Sequence, residues 1–115
     1  MSDIKQLTEK LVKFRKERNW EQFHKPKDLA ISLSLEAAEV LEHFQWKNDE
    51  EIENYIKNNK EEIGEELADV FNWIMLLSHD IGIDIFEASE NKIKTNAKKY
   101  PVDKAKGKHT KYNKL

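Results

Sequence analysis

Leu33-Ser34-Leu35-Glu36-Ala37-Ala38-Glu39-Val40-Leu41 and Glu65-Glu66-Leu67-Ala68-Asp69-Val70 decide the fold and most of the chemistry. In both stretches apolar residues recur at steps of three and four, the period of an amphipathic helix and not of a strand. In both, two acids stand three residues apart, on the apolar stripe or at its edge. Glu36 follows Leu33 by three residues and precedes Val40 by four, and Glu66 stands in the same relation to Ile63 and Val70. Glu39 comes one turn after Glu36. Asp69 comes one turn after Glu66, four residues before Trp73.

An unpaired carboxylate in a dry setting is costly and tends to take up a proton. Four of them converging would repel one another as well. A hard divalent cation resolves both problems, because Mg²⁺ prefers oxygen ligands in octahedral geometry. The spacing puts each pair about one turn apart, close enough to share one or two ions. The plainer reading is that these acids pair with lysines on a solvated surface. Two such pairs on two long helices, flanked by alanines and large apolar residues, favour the metal. A di-iron or di-manganese bundle would need a Glu-x-x-His step on two helices. Here the third residue after Glu36 is Glu39, after Glu39 it is Glu42, and after Glu66 it is Asp69. The one Glu-x-x-His step, Glu21 to His24, falls in a loop before Pro26, which argues against a soft or redox metal.

Working outward, the pattern predicts an all-α chain, a helical bundle of four main helices. The first runs over about residues 3–18, capped by Ser2 or Asp3, with Ile4, Leu7, Leu11, Phe14 and Arg18 at helical steps. Residues 19–26, Asn-Trp-Glu-Gln-Phe-His-Lys-Pro, break it, and Pro26 opens the second helix where a missing N–H costs little. That helix extends to about residue 46, with Leu29, Leu33, Val40, Leu41 and Phe44 as its buried stripe. Asn48-Asp49 marks a turn and cap, and a short acidic helix follows to about residue 58. The third main helix covers about residues 60–80, burying Ile63, Leu67, Val70, Phe71, Ile74 and Leu77. Gly82 suits its C-terminus, Asp84 caps the last helix, and Tyr100-Pro101 stops that helix after about residue 99. Residues 102–115 read as a basic, irregular tail. The whole chain, 1–115, reads as one domain.

Composition agrees. Charged residues make up 37% of the 115 and hydrophobic ones 38%, with 3 glycines and 2 prolines, a balance that favours helices with solvated outer faces. Eleven aromatic residues argue against disorder. There is no cysteine, which excludes disulfides, thiolate metal sites and a cysteine nucleophile. The N-terminal stretch lacks a signal-type apolar core and the longest apolar run, residues 73–77, is too short to span a bilayer, so a cytoplasmic protein is expected. Net charge is −2 but uneven. Residues 49–69 carry nine acids and two lysines, whereas residues 92–115 carry nine lysines and one acid. The acidic middle could hold metal and the basic end phosphate.

A flat aromatic pocket would suit a nucleobase, and Trp20, Phe23, His24, Phe44 and Trp46 are candidates, with Trp73 one turn beyond Asp69. The alternative for each is ordinary core packing. Lys92 and Asn96, one turn apart on the last helix with Lys98 and Lys99 behind, suit contacts to a triphosphate.

Together these residues resemble the all-α nucleotide pyrophosphohydrolases of the MazG type, and within them the dCTP pyrophosphatase branch. The marker is Glu-x-x-Glu, a spacer, then Glu-x-x-Asp, present as Glu36-Ala37-Ala38-Glu39 and Glu66-Leu67-Ala68-Asp69. The flanks are more specific: residues 18–26, Phe44-Gln45-Trp46-Lys47, Asn96-Ala97-Lys98-Lys99-Tyr100-Pro101-Val102 and Lys111-Tyr112. The resemblance spans nearly the whole chain. It departs from relatives at Leu35, Ala37 and Ala38, where glycine is frequent, and at Trp73, where the branch often has tyrosine.

The resemblance implies hydrolysis of a nucleoside triphosphate, dCTP or a modified dCTP, to the monophosphate and pyrophosphate, in the service of nucleotide-pool sanitation. It implies Mg²⁺, with Mn²⁺ as a substitute, on Glu36, Glu39, Glu66 and Asp69, which would serve both as metal ligands and as the catalytic groups. Trp20, His24, Trp46 and Trp73 would face the base and sugar, and Lys92 and Asn96 the phosphates. It implies a homodimer or homotetramer, with no membrane and no nucleic acid polymer among the partners. A non-catalytic helical module that binds nucleotides or protein is the competing expectation, and it would leave the four acids dispensable.

Overall fold

The structure, a computed structural model, describes residues 3–115. The order is α1 (Asp3–Glu17), a 3₁₀ turn at Glu21–Phe23, α2 (Pro26–Glu42), α3 (Asp49–Asp80), α4 (Ile85–Lys99), the one-turn α5 (Val102–Ala105) and a closing 3₁₀ turn at Tyr112–Lys114. No strand occurs among the described residues, and the all-α class expected from the periodicity holds. Ser2, one expected cap of α1, lies outside the described residues, and Asp3 is the first residue of the helix itself.

The helix ends follow from local chemistry. At the end of α1, Asn19 N–H donates to Lys16 O (3.0 Å) and Trp20 N–H to Arg15 O (3.1 Å). Asn19 takes φ 55°, a left-handed conformation that asparagine tolerates better than most residues. This is the Schellman arrangement, and it satisfies carbonyls that the helix end would otherwise orphan. Pro26 sits in the first turn of α2, as expected. That helix stops at Glu42 rather than near Trp46. A turn stands in place of the expected last residues, with Phe44 and Gln45 N–H both bonded to Leu41 O at 2.9 Å. Trp46 then adopts φ 69°, which costs a residue with a Cβ roughly 1–2 kcal/mol.

α3 opens with a reciprocal cap: Glu51 N–H donates to Asn48 Oδ1 (2.9 Å) and Asn48 N–H to Glu51 Oε1 (3.1 Å). The acidic helix and the third main helix expected from the sequence are one 32-residue rod with a break at Asn59 (φ −134°, ψ 26°). There the Asn59 amide donates to Tyr55 O at 2.9 Å. The break falls between the two helices read from the sequence. Gly82 at φ 76° closes α3, its N–H bonded to His79 O.

The chain forms two compact units, one reaching to Gly82 and one from Ile83 to Leu115. In the first, α2 and α1 both pack on α3. Among the described residues its buried large apolar side chains are Leu29, Met75 and Leu76. Each contributes about 2 kcal/mol, so three of them make a thin core. Three residues read as buried are exposed, Leu41 (57%), Leu67 (53%) and Phe71, and so are Leu7 and Phe14 on α1. Periodicity reports that a helix has an apolar stripe. It does not report which part of that stripe a neighbour in the same chain covers.

In the second unit, Asp84 caps α4 by accepting from Glu87 N–H at 3.0 Å, and α4 ends at Lys99, with Tyr100 as its C-cap directly before Pro101. The tail is more ordered than its composition suggests. Tyr112 packs edge-on against Tyr100 (centroids 6.0 Å), and Lys99 Nζ stands 4.7 Å from the Tyr112 ring.

Candidate active site

α2 and α3 carry the four acids to the region where the two helices pack. Carboxylate oxygens of Glu36, Glu39 and Glu66 lie within 4.8 Å of one another. Glu36 and Glu66 are half-buried and Glu39 is exposed. In Glu36 and in Glu66 the Oε2 atom is buried and has no hydrogen-bond partner. Asp69 is exposed and stands outside this trio, yet its charge is felt by both Glu36 and Glu66.

The electrostatics follow from that crowding. Glu36 is pushed up to about 7, first by the hydrogen bond it shares with Glu39, then by burial, then by the charges of Glu39, Asp69 and Glu66. Glu66 is raised as well, by burial first and by Glu39 next. Without a cation the crowding favours a proton on the cluster as pH falls toward and below neutral. The two unpartnered Oε2 atoms are acceptors facing no donor, and all the converging atoms are hard oxygens. That donor set fits a cation such as Mg²⁺ and offers nothing to a soft metal.

The aromatic candidates divide. His24 is half-buried and packs edge-on against Trp73, with ring centroids 5.4 Å apart. Its pKa lies below the ordinary histidine value, because burial and then the charge of Arg15 disfavour the imidazolium. Its Nδ1 is buried without a partner. Trp20 packs on Phe14 (5.8 Å), and the Arg18 guanidinium lies 3.6 Å from the Phe14 ring centre. Trp46 stands 91% exposed. In the second unit, Lys92 and Asn96 are exposed on α4.

Two features escaped the sequence reading. Arg15, with a side chain only 7% exposed, forms a two-pronged ion pair with Asp80: Nη1 to Oδ2 and Nη2 to Oδ1, both 2.8 Å. Its signal was present, since Leu7, Leu11 and Arg15 follow one another at four-residue steps, but a charged residue in an apolar row is easily passed over. The second is a 2.6 Å hydrogen bond between His43 Nδ1 and the Tyr55 hydroxyl, with Lys47 Nζ 4.4 Å from the Tyr55 ring.

A family model described as MazG-like matches residues 31–115. This chain belongs to the MazG-like family. Curated relatives of the MazG-like chain include dCTP pyrophosphatase 1 of Bos taurus, 35% identical over 117 aligned positions spanning all of this chain and 68% of that protein. The human protein of the same name is 33% identical, with all of this chain and 67% of that protein covered. Among solved structures, a pyrophosphatase from Archaeoglobus fulgidus superposes with a TM-score of 0.82 at 37% identity, covering 88% of this chain and 94% of that one. The MazG-like chain is thus an enzyme of the nucleoside triphosphate pyrophosphohydrolase class. Among its described residues no helix is long and apolar enough to cross a membrane.

Proposed function

We propose that this chain converts dCTP, or a dCTP modified on its base, to the monophosphate and pyrophosphate, with Mg²⁺ held by Glu36, Glu39, Glu66 and Asp69. The observation that carries the reading is the convergence of three carboxylates within 4.8 Å, two of them with a buried oxygen lacking any partner. The dCTP preference is supported by the names of the curated relatives. Mn²⁺, another oxygen-preferring ion, would substitute.

Hydrolysis needs a water deprotonated beside a tetra-anionic chain. Glu36, pushed up to about 7, accepts that proton, and the neighbouring Glu39 carboxylate stabilises the protonated form by accepting from it. Glu66 and Asp69 add the negative charge that holds a cation on α3. When bound, Mg²⁺ offsets the charge of the triphosphate and makes the water more acidic. Trp73, with His24 edge-on to it, offers a partly dry aromatic surface to the base, and Trp20 and Trp46 are further rings for the base and sugar. Lys92 and Asn96 are assigned to the phosphates by their chemistry, a cation and an amide one turn apart on α4.

The chain works as a homodimer or homotetramer. Its thin core, and the exposure of Ile31, Leu35, Leu41 and Leu67, support association through helix faces left bare in one protomer. Such an enzyme acts on free nucleotides in the cytoplasm, not on nucleic acid polymers.

Pyrophosphate release from a panel of ribo- and deoxyribonucleoside triphosphates, with Mg²⁺, Mn²⁺ or EDTA, tests the reading. Turnover of dCTP or a 5-substituted dCTP that stops with EDTA supports it. Nucleotide binding without pyrophosphate would instead indicate a non-catalytic module.

A further inference from the structure

Arg15 makes two connections at once. Its guanidinium grips both oxygens of Asp80 at the end of α3, and its backbone carbonyl accepts from Trp20 N–H at 3.1 Å. The end of the long helix is thereby tied to the first residue of the aromatic loop. Asn19 N–H donates to Lys16 O as part of the α1 cap, and the other bonds of that loop are internal: Gln22 Nε2 to Asn19 O, Phe23 N–H to Trp20 O and His24 N–H to Glu21 O. They hold the loop's own shape; its described contact with α3 is His24 edge-on to Trp73 at 5.4 Å, a packing contact with no hydrogen bond to set its direction.

We propose that the Arg15–Asp80 ion pair is a positioning device for nucleotide binding, holding residues 19–24 on α3 so that Trp20 and His24 meet the base in one arrangement. The proposal rests on the reading of Trp20 and His24 as base-facing residues. Three observations support it. A two-pronged guanidinium–carboxylate contact fixes direction as well as distance, which a lysine cannot reproduce. The pair is poorly built for stability alone, because Arg15 Nε is buried with no partner and the Asp80 side chain is partly open to solvent, where an ion pair stabilises little. The same two charges also act on His24. Burial and Arg15 disfavour its protonation, while Asp80, Glu21 and Asp28 favour it.

The test compares native protein with Asp80→Asn, Arg15→Met, Arg15→Lys and the exchanged pair Arg15→Asp/Asp80→Arg, using dCTP with Mg²⁺ and NMR titration of labelled His24. In the first three variants KM should rise roughly tenfold or more, with kcat within about twofold. The exchanged pair should recover most of the loss. The His24 pKa should move in opposite directions, down in Asp80→Asn, where Arg15 remains, and up in Arg15→Met, where Asp80 remains. Lost packing alone would not produce that split. If Arg15→Met and Asp80→Asn do not fold, Arg15→Lys and the exchanged pair decide: a raised KM in the first and a recovered KM in the second bear the proposal out. Native KM in the folded variants, or equal loss in the exchanged pair and the single ones, overturns it. His24→Ala separates the two levels. A raised KM there beside native KM in the pair variants overturns the positioning role alone. Native KM in His24→Ala removes the base-facing reading and the positioning role with it.

Discussion

α3 carries two charged clusters, and they are built on opposite rules. Around Glu66, like charges converge: Glu36, Glu39 and Glu66 within 4.8 Å, with two buried oxygens unpartnered. Around Asp80, 14 residues further on and about 21 Å along the helix, opposite charges meet in a two-pronged contact with Arg15. The first cluster pushes Glu36 up to about 7 and raises Glu66. The second, through the Arg15 hydrogen bond, holds Asp80 below the ordinary carboxylate value and raises Arg15. One site is left incomplete for a ligand from outside, and the other is completed from within the chain. A protein seeking only stability would have removed the first cluster, since unpaired charge in a half-buried place is costly.

That contrast can be broken or sharpened by substitution. The largest effect is expected at the incomplete site. Glu66→Gln should slow pyrophosphate release by about 10³-fold, while raising the melting temperature of the metal-free protein because one repelling charge is gone. A faster-melting Glu66→Gln variant would mean that the carboxylate has a partner in the fold.

At the completed site the signs reverse. Asp80→Asn should lower stability by about 2 kcal/mol at pH 7, read from urea unfolding, because Arg15 is left buried without its counter-charge. An unchanged midpoint would mean that the pair is solvated.

The two clusters should also give opposite pH dependences. Glu36 is raised in the folded state, so the folded protein binds more protons than the unfolded chain between about 4.5 and about 7. Its contribution is present below 4.5 and is lost as pH rises through 7. Asp80 is lowered from its ordinary 3.8, so its contribution is present above that value and is lost as pH falls through the folded one. Thermal melts in EDTA should therefore fall both on acidification below pH 4 and on the rise from pH 5 to 8. Mg²⁺ should restore the loss on the alkaline side only. Equal Mg²⁺ stabilisation at pH 5 and pH 8 would contradict a proton held at Glu36.

The smallest effect is expected at Trp46. Its φ of 69° suits glycine, and its side chain is 91% exposed. Trp46→Gly should leave stability unchanged or improve it by up to about 1 kcal/mol, while raising KM if the indole meets substrate.

Much of this was legible in the residues. Helix order, the Asn48 cap, the break near residue 59 and the Gly82 stop all follow from local rules that act within a few residues. The convergence of Glu36 and Glu66 was legible because acids at core positions of two helices have to face each other when the stripes pack. Less legible was whatever depends on distant parts of the chain. Arg15 and Asp80 are 65 residues apart, and no local pattern pairs them. The end of α2 at Glu42 was missed because Leu41, Phe44 and Trp46 keep an apolar rhythm through a turn. Leu41 and Leu67 have the right period to be buried, yet they are bare in the single chain, because a stripe does not name the surface that covers it. Why Trp46 rather than glycine occupies the left-handed turn has no explanation within the protomer.

The most direct measurement is the rate of pyrophosphate release from dCTP with saturating Mg²⁺, for native protein and for Glu36→Gln, after both give the same far-ultraviolet circular dichroism. The expected result is one pyrophosphate per dCMP from the native enzyme and a rate at least about 10³-fold lower from the variant. Comparable rates from the two would contradict a carboxylate site at Glu36.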